Sequence, residues 1–302
     1  MPRMHRNRLK NTPRMRKQSR FRLLCQLLAA AVMNGYAKGF LHGKIYTGKT
    51  KSVCVPVLNC YSCPGALGAC PIGSLQAVGS GGRHKISFYV LGMLMLFGTV
   101  LGRLLCGFLC PFGLIQDLLH RIPSPKLRVP KKADRGLRYL KYVMLVLLVL
   151  LLPVLAVNKY GIGDPWFCKY VCPAGTLEGG IPLILQNEQL RRIAGALFSW
   201  KLGILIAVII GSVCISRFFC RYLCPLGAFY ALFNRFALFQ MQVSGEKCIG
   251  CGKCETVCPM AVDVTKQING GECIRCGKCT AACPKQAITQ GFQHLTHNNE
   301  PS

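Results

Sequence analysis

Two cysteine runs near the C-terminal end of the chain have the spacing of iron–sulfur ligands. They contain Cys248, Cys251, Cys254 and Cys258, then Cys273, Cys276, Cys279 and Cys283. Each run reads Cys-x2-Cys-x2-Cys-x3-Cys-Pro, in which three thiolates bind one [4Fe–4S] cube and the fourth binds the cube of the other run. The predicted ligands are therefore Cys248, Cys251, Cys254 and Cys283 for cluster one, and Cys258, Cys273, Cys276 and Cys279 for cluster two. Zinc also binds Cys-x2-Cys pairs, but it gives no reason for two full repeats.

A second pattern, Cys-x3-Cys-Pro, occurs at Cys106 and Cys110 and again at Cys220 and Cys224. On a helical turn this spacing puts both sulfurs on one face, so the two copies together offer four thiolates for a further cluster. The alternatives are buried free thiols or a docking surface. Arg103 and Arg217 stand three residues before the pairs. Either their charge offsets that of a thiolate-bound cluster, or they extend from a membrane edge towards water.

A third group of cysteines lies in two loops. Cys60, Cys63, Cys70, Cys168 and Cys172 are five candidates for the four ligand places of one more cluster, and Cys54 fits less well because it lacks a paired spacing. Disulfides are the alternative if these loops face an oxidising compartment. The segment after Cys70 resembles the segment after Cys172, so each half reads as cysteine loop, helix and Cys-x3-Cys-Pro, which indicates an internal duplication. Cys25 and Cys214 fall within helices as ordinary small apolar residues.

The elements that must position these cysteines are apolar. The chain of 302 residues is 51% hydrophobic and only 16% charged. Four stretches approach the roughly 20 residues that cross a bilayer: Phe21–Leu41, Ile86–Leu105, Tyr139–Val157 and Leu197–Phe219. The predicted fold is a membrane α-helical domain of about four transmembrane helices, internally duplicated, followed by a small α+β ferredoxin domain. The expected boundaries are a basic tail over 1–20, the membrane domain over 21–240, the ferredoxin domain over 241–290 and a polar tail over 291–302.

The formal net charge of +28 raises the possibility of nucleic-acid binding, but its distribution does not favour it. Lys and Arg concentrate in the first 22 residues and in the 106–138 segment, whereas 158–198 is nearly balanced. The positive-inside rule then places the N-terminus, the 106–138 loop and the ferredoxin domain in the cytoplasm. We therefore expect a multi-pass protein of a bacterial or archaeal cytoplasmic membrane, with lipid and no nucleic acid as a partner.

With these motifs in place, the chain resembles the NapH-type membrane ferredoxins over roughly residues 20–290. The resemblance is specific at the two Cys-x3-Cys-Pro motifs and at the eight ferredoxin cysteines. It implies electron transfer between the quinone pool or cytoplasmic donors and a partner redox protein, with quinone as a possible cofactor. Related domains occur in maturation proteins of other metalloenzymes, so supplying electrons for metalloprotein assembly is the alternative function.

The sequence contains no haem-attachment motif, no GxGxxG and no P-loop, so we expect an electron carrier without a substrate pocket of its own. Clusters on opposite membrane faces would be roughly 30 Å apart, and a conduit would need buried clusters or a quinone between them. Lys247, Lys253, Arg275 and Lys278 predict a basic rim on the ferredoxin domain. That rim suits an acidic ferredoxin or flavodoxin, or else anionic lipid; a membrane reductase is another possible partner.

Overall fold

The computed structural model describes residues 12–80, 88–127, 129–159 and 162–292. Most of the predicted basic tail, the start of the second apolar stretch and nearly all of the polar tail lie outside the described residues. The helices are α1 Pro13–Met33, α2 Ala37–His42, α3 Pro71–Gly79, α4 Phe88–Val100, α5 Leu104–Phe108, α6 Pro111–Leu119, α7 Lys131–Val143, α8 Leu152–Leu155, α9 Ile181–Gln186, α10 Glu188–Ile193, α11 Ala196–Cys214, α12 Phe218–Tyr222, α13 Pro225–Phe233, α14 Lys253–Thr256, α15 Val264–Gln267 and α16 Lys278–Ala282. Lys49–Ser52 is a 3₁₀ turn, and Met144–Leu151, Phe167–Val171 and Gly175–Gly180 are π-helical.

Two described helices are long and apolar enough to cross a membrane. One joins α7, the π-helical segment and α8 into a 25-residue helix over Lys131–Leu155, and the other is the 19-residue α11. Their most apolar windows are only 22% and 17% buried. A core helix of a soluble protein would be mostly buried, so these helices present their apolar surface outward. They correspond to the third and fourth predicted stretches.

The first predicted stretch, Phe21–Leu41, is not one apolar helix. α1 begins earlier, ends at Met33 and carries the buried polar side chains of Arg22 and Gln26. Arg22 Nη2 lies 2.7 Å from Asp117 Oδ2 in α6, and Gln18 Nε2 donates to the carbonyl of Cys276. The polar face of α1 therefore packs against α6 and the ferredoxin domain, which sequence hydropathy does not reveal.

The second predicted stretch is also shorter than expected. Helix α4 has 13 residues, and the chain turns immediately after it at Gly102, whose φ is +55°. A side chain there would be strained, and its Cβ would lie 2.7 Å from Asn234 Oδ1 and 2.9 Å from Arg275 Nη1. Contacts with the C-terminal part of the chain therefore end this helix, and the described residues contain two rather than four long apolar helices.

The ferredoxin domain is closed by a two-stranded antiparallel sheet of β1 Phe239–Val243 and β2 Ile288–Phe292. Phe239 pairs with Phe292 and Val243 with Ile288, so the two cysteine runs lie between the strands in sequence. Gly252 and Gly277 begin α14 and α16 with φ of +67° and +71°. Each follows the second cysteine of its run, where the backbone turns sharply around the thiols.

The ferredoxin domain is fastened to the helices by buried polar contacts. Asn234, which follows α13, donates through Nδ2 to the carbonyls of Gly270 and Cys273 at 2.7 and 3.0 Å. Arg275 donates to the carbonyls of Leu101 and Asn234. Arg275 is 0% exposed. Its predicted place in a basic docking rim is therefore wrong, because the arginine satisfies backbone carbonyls between the two domains.

Glu272 is the ionic centre of the same interface. It lies 3.1 Å from Arg103 Nη1 through Oε2 and contacts Lys141 Nζ through Oε1. Both cationic side chains are 0% exposed. Burial opposes ionisation of the carboxyl, but Arg103 and Lys141 together hold the pKa of Glu272 below its ordinary value.

We expect Glu272→Gln to loosen the ferredoxin domain. The substitution leaves two buried cations without their carboxylate, which typically costs about 3–5 kcal/mol. The measurement is thermal unfolding in detergent together with limited proteolysis of residues 240–292. Glu188→Gln is the matched control, because Glu188 and Arg192 form an ion pair that is 73% and 79% exposed. Equal stability of the two variants would contradict an anchoring role for Glu272.

Candidate iron–sulfur sites

The structure brings the ferredoxin cysteines together in the two predicted sets. One cavity is lined by Cys258, Cys273, Cys276 and Cys279, and another by Cys248, Cys251, Cys254 and Cys283. Burial, with contributions from Cys276 and Cys258, raises the pKa of the Cys273 thiol to about 12. Because nearby thiolates repel one another, this mutual effect is typical of sulfurs arranged around one space.

The two ferredoxin cavities differ in access. Cys248 and Cys251 are exposed, beside the 61% exposed side chain of Ile249. Cys276 and Cys279 are buried. The cavity of cluster one, which Cys248 and Cys251 line, therefore opens at the surface of the domain. The cavity of cluster two, which Cys276 and Cys279 line, is covered.

The Cys-x3-Cys-Pro cysteines also converge, and we call Cys106, Cys110, Cys220 and Cys224 the proximal set because they lie against the ferredoxin domain. Each is no more than 7% exposed. Burial raises the pKa of the Cys224 thiol, and Cys220, Cys106 and Cys110 add to the effect. The two Cys-x3-Cys-Pro motifs, which are far apart in the sequence, therefore bring their cysteines together.

Helix ends direct the second cysteine of each pair. Cys110 and Cys224 precede α6 and α13, whose first residue is the proline of the motif. The Cys110 sulfur accepts from Gly113 N–H at 3.4 Å and the Cys224 sulfur from Gly227 N–H at 3.3 Å. The positive end of each helix dipole therefore faces a sulfur, which favours its thiolate form.

Arg103 and Arg217 reach across the proximal set reciprocally. Arg217 Nη1 donates to the Cys106 carbonyl at 2.5 Å, and Arg103 Nη2 donates to the Cys220 carbonyl at 3.1 Å. Both arginines are 0% exposed, so the interpretation that they extend towards water is wrong. A Cβ at Gly113 or Gly227 would lie 3.3 Å from the opposite guanidinium, which explains the glycine of each motif.

Arg217 is itself held by a carboxylate. Its Nε and Nη2 lie 3.2 and 2.6 Å from the two oxygens of Asp117, and Arg22 contacts the same residue. Burial opposes ionisation, but Arg217 and Arg22 hold the pKa of Asp117 well below its ordinary value. The guanidinium therefore has a fixed orientation over the thiols.

The loop cysteines form a second buried group, the distal set of Cys60, Cys70, Cys168 and Cys172. Burial, with a contribution from Cys70, raises the pKa of Cys60 and of Cys168 to about 12. The pKa of Cys172 is raised by burial and then by Cys168, Cys60 and Cys70. These four thiols therefore surround one space, as the proximal thiols do.

Cys63, the fifth candidate, points elsewhere. Its sulfur donates to Asn34 Oδ1 at 3.5 Å. Burial and then Glu178 raise its pKa, while Lys51 opposes the rise. Cys54 contacts its own neighbour, the Val55 carbonyl, although Cys70 affects its pKa. All twenty cysteines fall within the described residues, and all are free thiols rather than disulfides.

Two glutamines that the sequence reasoning did not identify occupy equivalent places in the two sites. Gln116 Nε2 donates to the Cys220 sulfur at 3.1 Å and Gln76 Nε2 donates to the Cys168 sulfur at 3.2 Å. The oxygen of each amide accepts from a backbone N–H, that of Phe219 at 3.0 Å and that of Phe167 at 2.9 Å. The signal was present in the sequence, because each glutamine ends a Cys-Pro-x-Gly-x-x-Gln segment.

A buried amide without a partner lies beside the distal set. Asn59 is 0% exposed, and neither atom of its side-chain amide has a hydrogen-bond partner in the described residues. A buried amide needs such a partner, and a sulfide-containing group beside Cys60 would provide one. A Cβ at Gly175 would lie 3.6 Å from the Cys60 sulfur and 3.8 Å from the Cys172 sulfur, so this glycine lies against both thiols.

Each membrane-domain set offers the ligand number of one cluster. Within 12–80, 88–127, 129–159 and 162–292, no three His, Cys, Asp or Glu residues are placed to hold one metal ion. Four thiolates are the ligand complement of one [4Fe–4S] group, which would provide one-electron chemistry when bound.

Tyr230 connects the proximal and distal sets. It lies on α13, which begins after Cys224. Its hydroxyl donates at 2.9 Å to the carbonyl of Pro56, in the loop that carries Cys60 and Cys70 and that we call the distal loop. Burial raises its pKa, and thiols of both sets, including Cys106 and Cys70, add to the effect. Tyr230 therefore lies near thiols of both sets.

The apolar distal loop explains this proximity. Val57, Leu58 and Ala66 are at most 3% exposed and belong to the protein interior. A loop that buries such residues folds back onto the helices instead of extending into water. The sequence alone did not reveal that the distal loop folds back onto the helices.

Comparisons with known proteins agree with the iron–sulfur chemistry. A family of 4Fe-4S binding domains matches residues 86–130, 142–185 and 197–242, and each match contains one Cys-x3-Cys-Pro motif. A family of 4Fe-4S dicluster domains matches residues 240–284. No solved structure matches the chain.

Several curated proteins are similar to this chain. An uncharacterized protein of Methanocaldococcus jannaschii is 33% identical over 177 residues, which are 59% of this chain and 67% of that protein. The methylamine utilization ferredoxin-type protein MauN of Paracoccus denitrificans is 27% identical over 52% of this chain and 48% of its own length. YccM of Escherichia coli, named provisionally for electron transport, is 27% identical over 61% of this chain and 48% of its own length. The chain thus spans about half to two thirds of these relatives.

The two loop cysteines Cys60 and Cys63 give a direct test of the distal set. Cys60→Ala is expected to remove about four iron atoms per chain, because a ligand of one [4Fe–4S] cluster is lost. Cys63→Ala is expected to leave the iron content unchanged, because its sulfur points to Asn34. Iron and sulfide analysis of anaerobically purified protein distinguishes them, and iron loss in Cys63→Ala alone would contradict the assignment.

Proposed function

Because this chain belongs to a family of ferredoxin-type 4Fe–4S electron-transport proteins, we propose that it relays electrons along four cysteine sites. Two are the ferredoxin cavities, and the others are the proximal and distal sets. The motifs of this chain resemble those of the NapH-type membrane ferredoxins, and we propose that it acts as they do. The observation that carries the proposal is the convergence of four buried thiols in each membrane-domain set.

The order of the sites follows from their contacts. The open cavity of cluster one is the point of exchange with a soluble partner. The covered cavity of cluster two adjoins the proximal set, since a Cβ at Gly107 would lie 2.5 Å from the Ile274 carbonyl. Gly107 follows Cys106, and Ile274 lies between Cys273 and Cys276. Tyr230, which lies near thiols of both membrane-domain sets, then links the proximal to the distal set.

We place this relay in a bacterial or archaeal cytoplasmic membrane. Exposed apolar side chains on α8 and α11 support this, with Leu155 at 72% and Ile210 at 60% exposure. Such surface is costly in water and matches a hydrocarbon environment. Lys and Arg before and within α7 favour a cytoplasmic location for that end and for the ferredoxin domain docked on it.

The iron content tests the proposal. Four clusters give about sixteen iron atoms per chain, and loss of one gives about twelve. We expect about sixteen in the anaerobically purified protein and about twelve in the Cys106→Ala/Cys220→Ala variant. Cys25→Ala/Cys214→Ala is the control, because these cysteines lie in α1 and α11, away from the four sites. About eight iron atoms in all three proteins would confine the clusters to the ferredoxin domain and overturn the four-site relay.

The partner at the open cavity is proposed to be an acidic soluble ferredoxin or flavodoxin. Lys247, Lys253 and Ile249 are exposed around Cys248 and Cys251, combining positive charge with an apolar contact. Complementary charge raises the association rate and makes it sensitive to ionic strength.

Charge reversal at this face is expected to slow reduction by an acidic donor. Lys247→Glu/Lys253→Glu should lower the second-order rate at low salt by about tenfold or more, with the difference shrinking at high salt. Stopped-flow absorbance measures the rate. Lys44→Glu/Lys49→Glu is the matched control, since both lysines are exposed near the distal loop. A wild-type rate that is the same at low and high salt would exclude electrostatic docking.

A further inference from the structure

The proximal and distal sets are built from similar segments, so the differences between their surroundings can be compared directly. In each, a Cys-Pro-x-Gly-x-x-Gln segment places a glutamine amide on a cysteine sulfur, at 3.1 Å for Gln116 and 3.2 Å for Gln76. Each amide is oriented by a backbone N–H of the residue before that cysteine. Hydrogen bonds to sulfur, net charge and solvent exposure tune the potential of such sites. The glutamine contacts are matched. Exposure differs, because Cys60 and Cys168 are partly exposed whereas all four proximal cysteines are buried, and charge differs as well.

The proximal set has two permanent charges that the distal set lacks. Arg103 and Arg217 are 0% exposed and bond to carbonyls of the ligand cysteines themselves. Three residues before Cys60 and Cys168, the distal chain has Val57 and Pro165 instead. A guanidinium remains charged at any physiological pH. In a site screened from water, its attraction for an added electron is much stronger than at a surface.

The acids near the proximal set do not cancel these charges. Asp117 is shared between Arg217 and Arg22, and Glu272 between Arg103 and Lys141. Each carboxylate therefore faces two cations. The proximal surroundings keep a positive excess on both sides of the thiols.

The distal set has weaker positive surroundings. Lys201 Nζ donates to the Cys168 carbonyl at 3.1 Å, but this side chain is only half-buried and is therefore partly screened. Lys51 is buried, and burial lowers the pKa of its ammonium group. Glu178 accepts from the Cys60 N–H at 2.8 Å. A carboxyl group is neutral or negative, so in neither state does it attract an electron.

From this asymmetry we infer that Arg103 and Arg217 give a cluster held by the proximal set a higher reduction potential than one held by the distal set. The inference rests on the proposed function and adds a polarity to it. An electron that enters at the distal end moves towards the ferredoxin domain with a favourable free-energy change. An electron from cluster two reaches the proximal set and passes to the distal set only against a potential difference.

Anaerobic redox titration followed by electron paramagnetic resonance tests the order in the wild-type protein. The proximal signal is the one absent from Cys106→Ala/Cys220→Ala, and the distal signal is the one absent from Cys60→Ala/Cys168→Ala. We expect the proximal signal to appear at the higher potential. A distal midpoint equal to or above the proximal midpoint overturns the inference and leaves the relay intact. If neither variant loses iron, the proposed function itself fails.

Arg217 variants test the cause. Arg217→Gln is expected to shift the proximal midpoint to lower potential without moving the distal one, whereas Arg217→Lys keeps most of the wild-type value. Lys51→Met is the reciprocal control and should lower only the distal midpoint. An unchanged proximal midpoint in Arg217→Gln, or equal shifts at both sites, would overturn the role of the arginine. If Arg217→Gln does not fold, the wild-type order still decides.

Discussion

The architecture depends on burying four sulfur ligands together twice, in an interior where thiolate charge is costly. A bare buried thiol resists ionisation, and burial raises the pKa of Cys110, Cys172 and Cys224 well above its ordinary value. Backbone N–H groups and buried cations stabilise the thiolates. At Cys110, Cys172 and Cys224, a glycine N–H three residues later donates to the sulfur. The proline that follows each cysteine starts the helical segment that aims this donor.

The sequence predicted the parts of the molecule that depend on local spacing. The ferredoxin runs could be grouped in advance because neighbouring cysteines and their terminal proline determine which thiols share a cavity. The helices over Lys131–Leu155 and Ala196–Cys214 follow from length and hydropathy alone. That the motifs belong to 4Fe–4S domains is supported by both family matches.

Features that depend on distant contacts were not predictable. Helix α4 ends where Arg275 and Asn234 meet Gly102, which lies far from both in sequence. Cys60 and Cys63 look equivalent as a Cys-x2-Cys pair, but only the direction of the folded loop separates them. Arg275 looks like a surface cation among others until the ferredoxin domain is seen docked on the helices. The closeness of Tyr230 to thiols of both membrane-domain sets likewise depends on how the loop around Pro56 folds.

The reciprocal reach of the two arginines has a consequence for biogenesis. Each Cys-x3-Cys-Pro motif is braced by a side chain from the other half of the duplicated region, so neither half can preorganise its own pair of sulfurs. The ribosome releases Cys106 and Cys110 long before Cys220 and Cys224 exist. We therefore expect the first motif to remain an incomplete site during synthesis, with too few ligands to bind a cluster. A cluster can then bind there only after the whole helical domain has been synthesised and folded.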